Sequence, residues 1–491
     1  MEAVEHITSE GYRPVVGVKS RRRKKVEESV FLAVHPFYRV AIITVYAIIL
    51  LTIVLNVEVN KKSPAFVLLC LAQVLNFAVI LFPIIFYKPS FGWFHPLVFY
   101  TCQYLLFQFR SYATYLQGIS HHRALPEYSI EDIILLVAYA LTLHAVATLS
   151  YYFGFWFGPN IKVPQIRFRA PKQLAIKAVA IVFLAVVAFW LYMDREGGLN
   201  AHLLSWQEGR HEALSGDYYW ILLIKFSAIA TLLWFSLNRR SIYHPLFWAC
   251  AGVSVLINFL ASGSRGTIIF FFIIGILVWM LREKKFAPAR VLMVGILGVV
   301  LISFLGDFRS RLWKGEISFT SDTKDTSLVE YFEQGAVESA ERAWTASGLL
   351  PILARVPNDV DLLYGSSYMA FVTLPIPRSV WPNKPGQVGG LVGETFFHSP
   401  SGTPPGPVGE AYWNFHIPGI IIVFFLFGTF HKWLAQCFIK YQGYPAAILI
   451  YLTIIFTLDP STPATVVCLM LLVPLIVLLC LIGVLSFHVK T

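Results

Sequence analysis

Leu374-Pro375-Ile376-Pro377-Arg378-Ser379-Val380-Trp381-Pro382-Asn383-Lys384-Pro385 lies near the C-terminal end of residues 307–412, a mostly polar stretch set between two long apolar blocks. That setting decides the fold class. The chain of 491 residues is 57% hydrophobic and only 14% charged, with a mean hydropathy of +0.64. A soluble domain of this length lacks the interior to hide so much apolar surface. The bilayer is then the solvent, and helices follow because backbone groups inside hydrocarbon must be satisfied within their own segment. Apolar runs of roughly 20 residues recur too often for a signal peptide or a single anchor.

Working outward from the polar stretch, candidate spans run near 38–57, 63–87, 93–117, 130–156, 173–193, 217–237, 243–261, 266–281 and 290–306. Three more follow it, near 413–434, 444–458 and 464–487. The expected protein is all-α and polytopic, with about twelve transmembrane helices. Residues 1–35 form a basic N-terminal tail, 36–306 carry helices one to nine, 307–412 form the large loop, and 413–491 carry the last three helices and the C-terminus. The tail ends in Lys19-Ser20-Arg21-Arg22-Arg23-Lys24-Lys25, an anchor for the cytoplasmic side of the first span. Alternate loops carry Lys162, Arg167, Arg169 and Lys172, then Arg239 and Arg240, then Arg282, Lys284, Lys285 and Arg290. Read by the positive-inside rule, these place both termini in the cytoplasm and residues 307–412 outside. The net charge of +11 therefore speaks for topology and not for nucleic acid. None of the six cysteines has metal-ligand spacing or falls in the large loop, so zinc and disulfide readings fail. No internal repeat of the transporter kind is visible.

Inside the large loop, Leu328, Phe332, Ala336, Ala340, Ala343 and Trp344 recur at helical spacing, which predicts an amphipathic helix over 327–347. The apolar stretch 368–377 is too short to cross and reads as re-entrant or interfacial. From 307 to 412 there are eight Lys/Arg against twelve Asp/Glu, so the loop as a whole does not attract anions. Its basic groups matter by position. Arg378 and Lys384 sit in a proline-stiffened stretch beside Trp381, which offers a face for sugar stacking or an interfacial anchor. Arg309 and Arg311 directly follow a span and read as topological anchors or as anion ligands. Arg265 lies in Ser262-Gly263-Ser264-Arg265-Gly266, where flanking glycines and a helix start suit a phosphate; the alternative is an arginine that snorkels to the interface. Glu410 opens the tenth span, where a carboxylate is expensive and tends to be paired or functional. It is the candidate base for an acceptor hydroxyl. Glu394, Asp307, Glu208, His398 and His416 are alternatives. Asp359-Val360-Asp361 resembles a paired-carboxylate metal motif only loosely and no other stands in the outer loops, so no metal and no cofactor is expected.

Four stretches taken together resemble one family. They are Gly197-Gly198 followed by the Arg210 segment, the Ser262–Gly266 turn, Tyr364-Gly365-Ser366-Ser367-Tyr368 leading into Pro377–Pro385, and Gly409-Glu410-Ala411-Tyr412-Trp413-Asn414-Phe415 with Pro418-Gly419. This is similar to the bacterial oligosaccharide repeat-unit polymerases (Wzy-type, O-antigen polymerase-like), in motifs over roughly 190–435 and in topology over the whole chain. His416 departs from the pattern, since a small residue is expected there. The resemblance implies a GT-C-like glycosyltransferase of the bacterial inner membrane. It would work on the outer face, moving a growing glycan from undecaprenyl diphosphate onto a new lipid-linked repeat unit. Arg265, Arg378 and Lys384 would hold the diphosphate, with Arg210, Arg309 and Arg311 assisting. Glu410 would act on the acceptor hydroxyl, with Trp381, His398 and Asn414 lining the site. Its partners would be the lipid-linked oligosaccharide, the bilayer, a chain-length regulator and a flippase. An O-antigen ligase shares these features but differs in acceptor. A lipid-linked sugar transporter would instead place charges at mid-membrane, and an assembly factor would need none of the arginines.

Overall fold

The computed structural model describes residues 31–56, 63–86, 92–104, 122–169, 171–203, 205, 218–263, 265–293, 295–296, 348–373, 376, 380–381, 387–399, 402–458 and 474–487. Its elements in chain order are α1 (Pro36–Asn56), α2 (Pro64–Ile85), α3 (Ile130–Phe157), β1 (Ile166–Phe168), α4 (Leu174–Arg195), α5 (Tyr218–Leu237), α6 (Pro245–Ser262), α7 (Arg265–Glu283), α8 (Leu349–Arg355), α9 (Ser366–Thr373), α10 (Val388–Phe397), α11 (Gly406–Tyr441), α12 (Pro445–Thr457) and β2 (Leu485–Phe487). Further helical turns lie at 96–104, 199–203, 288–293 and 474–482.

Six of these helices are long and apolar enough to cross a membrane: α2, α3, α4, α5 from Tyr219, α6 and α11. The chain is a helical membrane protein. Leucine, tryptophan and phenylalanine side chains stand open on the outer faces of these helices, including Leu71, Leu184, Phe183 and Trp190, as hydrocarbon allows and water does not. The predicted amphipathic helix at 327–347 lies outside the described residues.

Local chemistry sets the helix ends. Ser129 and Asp132 form a reciprocal capping box at the start of α3, with Ser129 Oγ accepting from Asp132 N at 3.2 Å and Asp132 Oδ2 accepting from Ser129 N at 3.1 Å; it satisfies amides that the first turn leaves open. Pro245 opens α6 behind the His244 cap, and Gly263 closes it at φ 60°, a left-handed cap that glycine adopts without strain.

The long central helix α11 ties the bundle together. Its first half joins a core with α2, α3, α8 and α10, and its second half joins another with α5, α7, α12 and 474–482. Its contact with α3 is the most extensive among the described elements. Glycines make that approach possible: a Cβ on Gly154 would fall 2.0 Å from the Phe425 carbonyl, and one on Gly428 would fall 2.0 Å from the Tyr151 carbonyl. Small residues four apart, Gly154 and Gly158, let two backbones touch as they do in membrane helix pairs. A buried hydrogen bond of 2.9 Å between Tyr151 Oη and His431 Nδ1 pins the same seam, and His431 Nε2 reaches the Leu458 carbonyl at 2.8 Å.

The two ends of the bundle differ in charge. At one end, basic side chains donate to the carbonyls that helices leave open: Arg39 to Ile85, Arg282 to Phe235, Lys432 to Gly158 and Lys177 to Ile482. Cations there oppose the negative ends of the helix dipoles. Among the described residues Glu283 is the one acidic side chain of that end, against the basic residues of the α3–α4, α5–α6 and α7 turns. The opposite end carries Glu127, Glu131, Asp132, Asp194, Glu196, Asp359, Asp361, Glu394 and Glu410, with Arg123, Arg195 and Arg355.

Two boundaries differ from the sequence reading. The tenth span was expected from 413, but α11 already begins at Gly406, so Glu410 stands inside a helix and not at the end of a loop. The described residues between α8 and α11 also include two short helices, α9 and α10. Glycine and proline at Gly402, Pro404, Pro405 and Pro407 hide the helix start from composition, although Pro407 is a residue that the first turn favours.

Candidate functional site

The acidic end of α11 carries a kink. Phe415 (φ −143°, ψ 20°) and His416 (φ 56°, ψ −151°) leave helical geometry, and Pro418 follows within the next turn. Proline removes one backbone donor and clashes with the preceding turn, which is the ordinary cause of such a bend. Gly419 allows it, since a Cβ there would sit 2.4 Å from the Ala411 carbonyl. From 417 to 441 the helix spans about 37 Å, enough by itself to cross hydrocarbon. The turns from Gly406 to Asn414 therefore form a short arm set on the end of the crossing helix.

That arm holds Glu410 and Asn414 one turn apart on one face. Glu410 is 2% exposed and Asn414 is 0% exposed. A third side chain completes the group. Ser367 Oγ donates to Glu410 Oε1 at 2.9 Å, and Asn414 Nδ2 donates to Ser367 Oγ at 2.7 Å and to the Glu410 carbonyl at 2.8 Å. Asn414 Oδ1 accepts from Gly365 N at 2.8 Å, so the asparagine amide is used at both ends. Burying a carboxylate without partners is costly, and this network supplies them.

The segment 361–365 delivers Ser367 to that position. Leu363 N donates to the Trp413 carbonyl at 3.0 Å, and Trp413 Nε1 donates to the Asp361 carbonyl at 3.1 Å. The chain then turns through Tyr364 (φ 46°) and Gly365 (φ 89°) into α9. Gly365 is required there: its φ is left-handed, and a Cβ would meet the Phe415 ring at 3.1 Å. Tyr368 is the next residue. Burial, and then the Glu410 carboxylate, raise its hydroxyl pKa above the ordinary value. Two residues on from Glu410 and Asn414 respectively, Tyr412 Oη and His416 Nε2 share a hydrogen bond of 2.7 Å, and the Tyr412 ring meets Tyr139 of α3 edge-on at 6.4 Å.

The remaining expected residues divide by place. His398 is the left-handed C-cap of α10 (φ 47°) and is exposed; Phe396, two residues before it, packs edge-on against Trp413 at 5.2 Å. Trp381 is 41% exposed. Arg265 is the first residue of α7, as the glycine turn predicts, and its side chain lies outside the described part. Arg210, Arg309, Arg311, Arg378 and Lys384 lie outside the described residues. The structure thus joins Glu410 to Asn414. Ser367, Tyr368 and the bond of Tyr412 to His416, itself named as an alternative base, escape the sequence reading. Ser367 stands in a quoted motif, but nothing local marks which serine meets a carboxylate 43 residues away. Among the described residues no group of three or more His, Cys, Asp or Glu could hold a metal ion.

Chemically, a carboxylate accepting an alcohol O–H is the ground-state arrangement of a base with its substrate hydroxyl. Comparison with known proteins gives one match: the family model of a domain of unknown function, DUF8712, matches residues 199–458, from beyond α4 to the end of α12. No curated protein and no solved structure matches the chain.

Proposed function

The chain belongs to the DUF8712 family, and we propose that it is a membrane-integral glycosyltransferase that lengthens a polyprenyl-diphosphate-linked glycan. The observation that carries this reading is the Ser367–Glu410–Asn414 network at the acidic end of α11. The resemblance of the Tyr364–Tyr368 and Gly409–Phe415 motifs to repeat-unit polymerases supports it, because the two motifs meet through these bonds.

In this reading the Ser367 hydroxyl holds the place of an acceptor sugar hydroxyl. Movement of α9 about Tyr364 and Gly365 releases Ser367 from Glu410, and the acceptor hydroxyl takes its position. Glu410 then removes the hydroxyl proton as the oxygen bonds to the anomeric carbon of the donor glycan. The bond from that carbon to the diphosphate breaks, and the polyprenyl diphosphate leaves with the electron pair. Arg265, Arg378 and Lys384 would neutralise it, with Arg210, Arg309 and Arg311 nearby. A groove of about 320 Å³ between α2 and α3 faces the lipid, with Tyr139 among the residues that line it. Since Tyr139 meets Tyr412, an apolar chain has a course towards the arm that carries Glu410.

The basic end of the bundle would face the cytoplasm by the positive-inside rule, which puts Glu410 on the outer side of a bacterial inner membrane. About twelve spans and a GT-C-like arrangement belong to the same proposal. A repeat-unit polymerase and an O-antigen ligase are separated by glycan length in a host deprived of its own polymerase. Restored long chains support the polymerase. Chains that stay at a single repeat would overturn it, and transfer of glycan restored in a host that lacks its own ligase would mark the ligase instead.

A further inference from the structure

The connector between α3 and α4 carries four exposed cations, Lys162, Arg167, Arg169 and Lys172, and no acidic residue from 158 to 173. Loops of this kind are ordinarily mobile, but this one is braced. β1 pairs antiparallel with β2, with Arg167 opposite Ser486, and Arg169 N extends the ladder to the Val484 carbonyl at 2.9 Å. From the other side α11 grips it: Tyr441 Oη donates to the Pro164 carbonyl at 2.5 Å and accepts from Ile166 N at 2.9 Å. Lys440 Nζ donates to the same carbonyl at 3.2 Å. All of these contacts use the connector's backbone, and they leave its own charged side chains free of that work. Strand alternation sends Ile166 and Phe168 inward, where Phe168 stacks on Tyr444 at 5.0 Å, and Arg167 and Arg169 to the opposite face.

A fixed tetrad of cations, with no acidic residue in its own connector, therefore lies between two membrane-crossing helices, at the level where lipid headgroups begin. We propose that this ribbon-braced shelf is a binding site for anionic phospholipid headgroups. The site does not depend on the activity assigned above; it rests on the membrane fold and on the charge complementarity of a polycation with an acidic leaflet. Each Lys or Arg near such a surface contributes about 1 kcal/mol, or roughly fivefold in affinity, and rigidity spares the entropy of ordering a loop.

The test is native mass spectrometry of the full chain released from micelles that contain equimolar phosphatidylglycerol and phosphatidylcholine. Wild type should retain phosphatidylglycerol preferentially, and Arg167→Gln/Arg169→Gln should lower that preference by about 25-fold. Arg167→Lys/Arg169→Lys should keep most of it, which shows that charge and not folding is lost. Arg239→Gln/Arg240→Gln, at the same end but off the shelf and with Arg239 already paired to Glu283 at 3.3 Å, should lower it by clearly less. The proposal is overturned by equal retention of the two lipids, by an unchanged preference in the Gln pair, or by an equal loss in the Arg239/Arg240 control. It is also overturned if millimolar inorganic phosphate displaces the lipid, marking a soluble-anion site, or if a polyglutamate peptide outcompetes it, marking a protein partner.

Discussion

Replacing Ser367 by alanine removes one hydroxyl and strands two buried partners. The hydroxyl donates to Glu410 at 2.9 Å and accepts from Asn414 at 2.7 Å. A hydrogen bond to a charged group contributes about 1.5–3 kcal/mol and a neutral one about 0.5–1.5 kcal/mol, so Ser367→Ala should weaken the hold of α9 on α11 by about 2–4 kcal/mol. That loss is local. Among the described side chains of α9 none belongs to the two cores around α11, and the helix of Ser366–Thr373 is short. Its opening should therefore precede global unfolding. Hydrogen exchange of the full chain in nanodiscs reads the effect directly. Amides of 366–373 should exchange at least ~30-fold faster in the variant, and those of α5 and α6 should not change. Unchanged uptake over 366–373 would refute the claim that Ser367 ties this segment to Glu410.

Three further outcomes follow from other parts of the molecule. Gly428→Ala places a methyl 2.0 Å from the Tyr151 carbonyl, whereas a Cβ at Gly252 meets nothing within 4 Å; the first should shorten the thermal half-life in detergent, at a cost of about 1–3 kcal/mol, and the second should lengthen it by removing a helical glycine worth about 0.5–1 kcal/mol. His416→Gly relieves a φ of 56° at the expense of the Tyr412 bond; strain of about 1–3 kcal/mol against a bond of about 0.5–1.5 kcal/mol predicts a net rise in melting temperature, and a fall would show the bond to be the stronger. Glu127 is held below the usual carboxylate pKa by its hydrogen bond from Arg355 at 2.8 Å. A lowered folded-state pKa gives stability that is present above the unfolded value, about 4.3, and is lost as pH falls through the folded value. The melting difference between wild type and Arg355→Gln, under about 1 kcal/mol for so exposed a pair, should thus be larger at pH 7 than at pH 3.

The membrane fold is written in single helices, and so it can be read from them. Each apolar run between 130 and 262 fulfils its own length and composition requirement without help from a partner, and α3 to α6 fall within a few residues of their expected bounds. Glu410 and Asn414 are also legible, because one helical turn separates them. What depends on distant pairing is hidden. Ser367 becomes meaningful only when the 361–365 segment is laid across Trp413 and Asn414. The ribbon of Ile166–Phe168 with Leu485–Phe487 is too short to leave a period in the sequence. Gly154 and Gly158 are different: their spacing marks a helix contact in plain view, yet it names no partner until Gly428 is placed against Tyr151. The residue after Asn414-Phe415 occupies backbone space that glycine prefers, so the histidine that stands there is strained where a small residue would not be.

The central claim is that the Glu410 carboxylate activates an acceptor hydroxyl. Its most direct measurement is in vitro elongation of a defined polyprenyl-diphosphate-linked repeat unit by purified protein, comparing wild type with Glu410→Gln. The amide keeps the size of the side chain and an acceptor for Ser367 but cannot take a proton, so general-base catalysis worth about 10²–10⁴-fold should be lost while hydrogen exchange over 366–373 stays near that of wild type. Chains lengthened by Glu410→Gln at the wild-type rate would contradict the account.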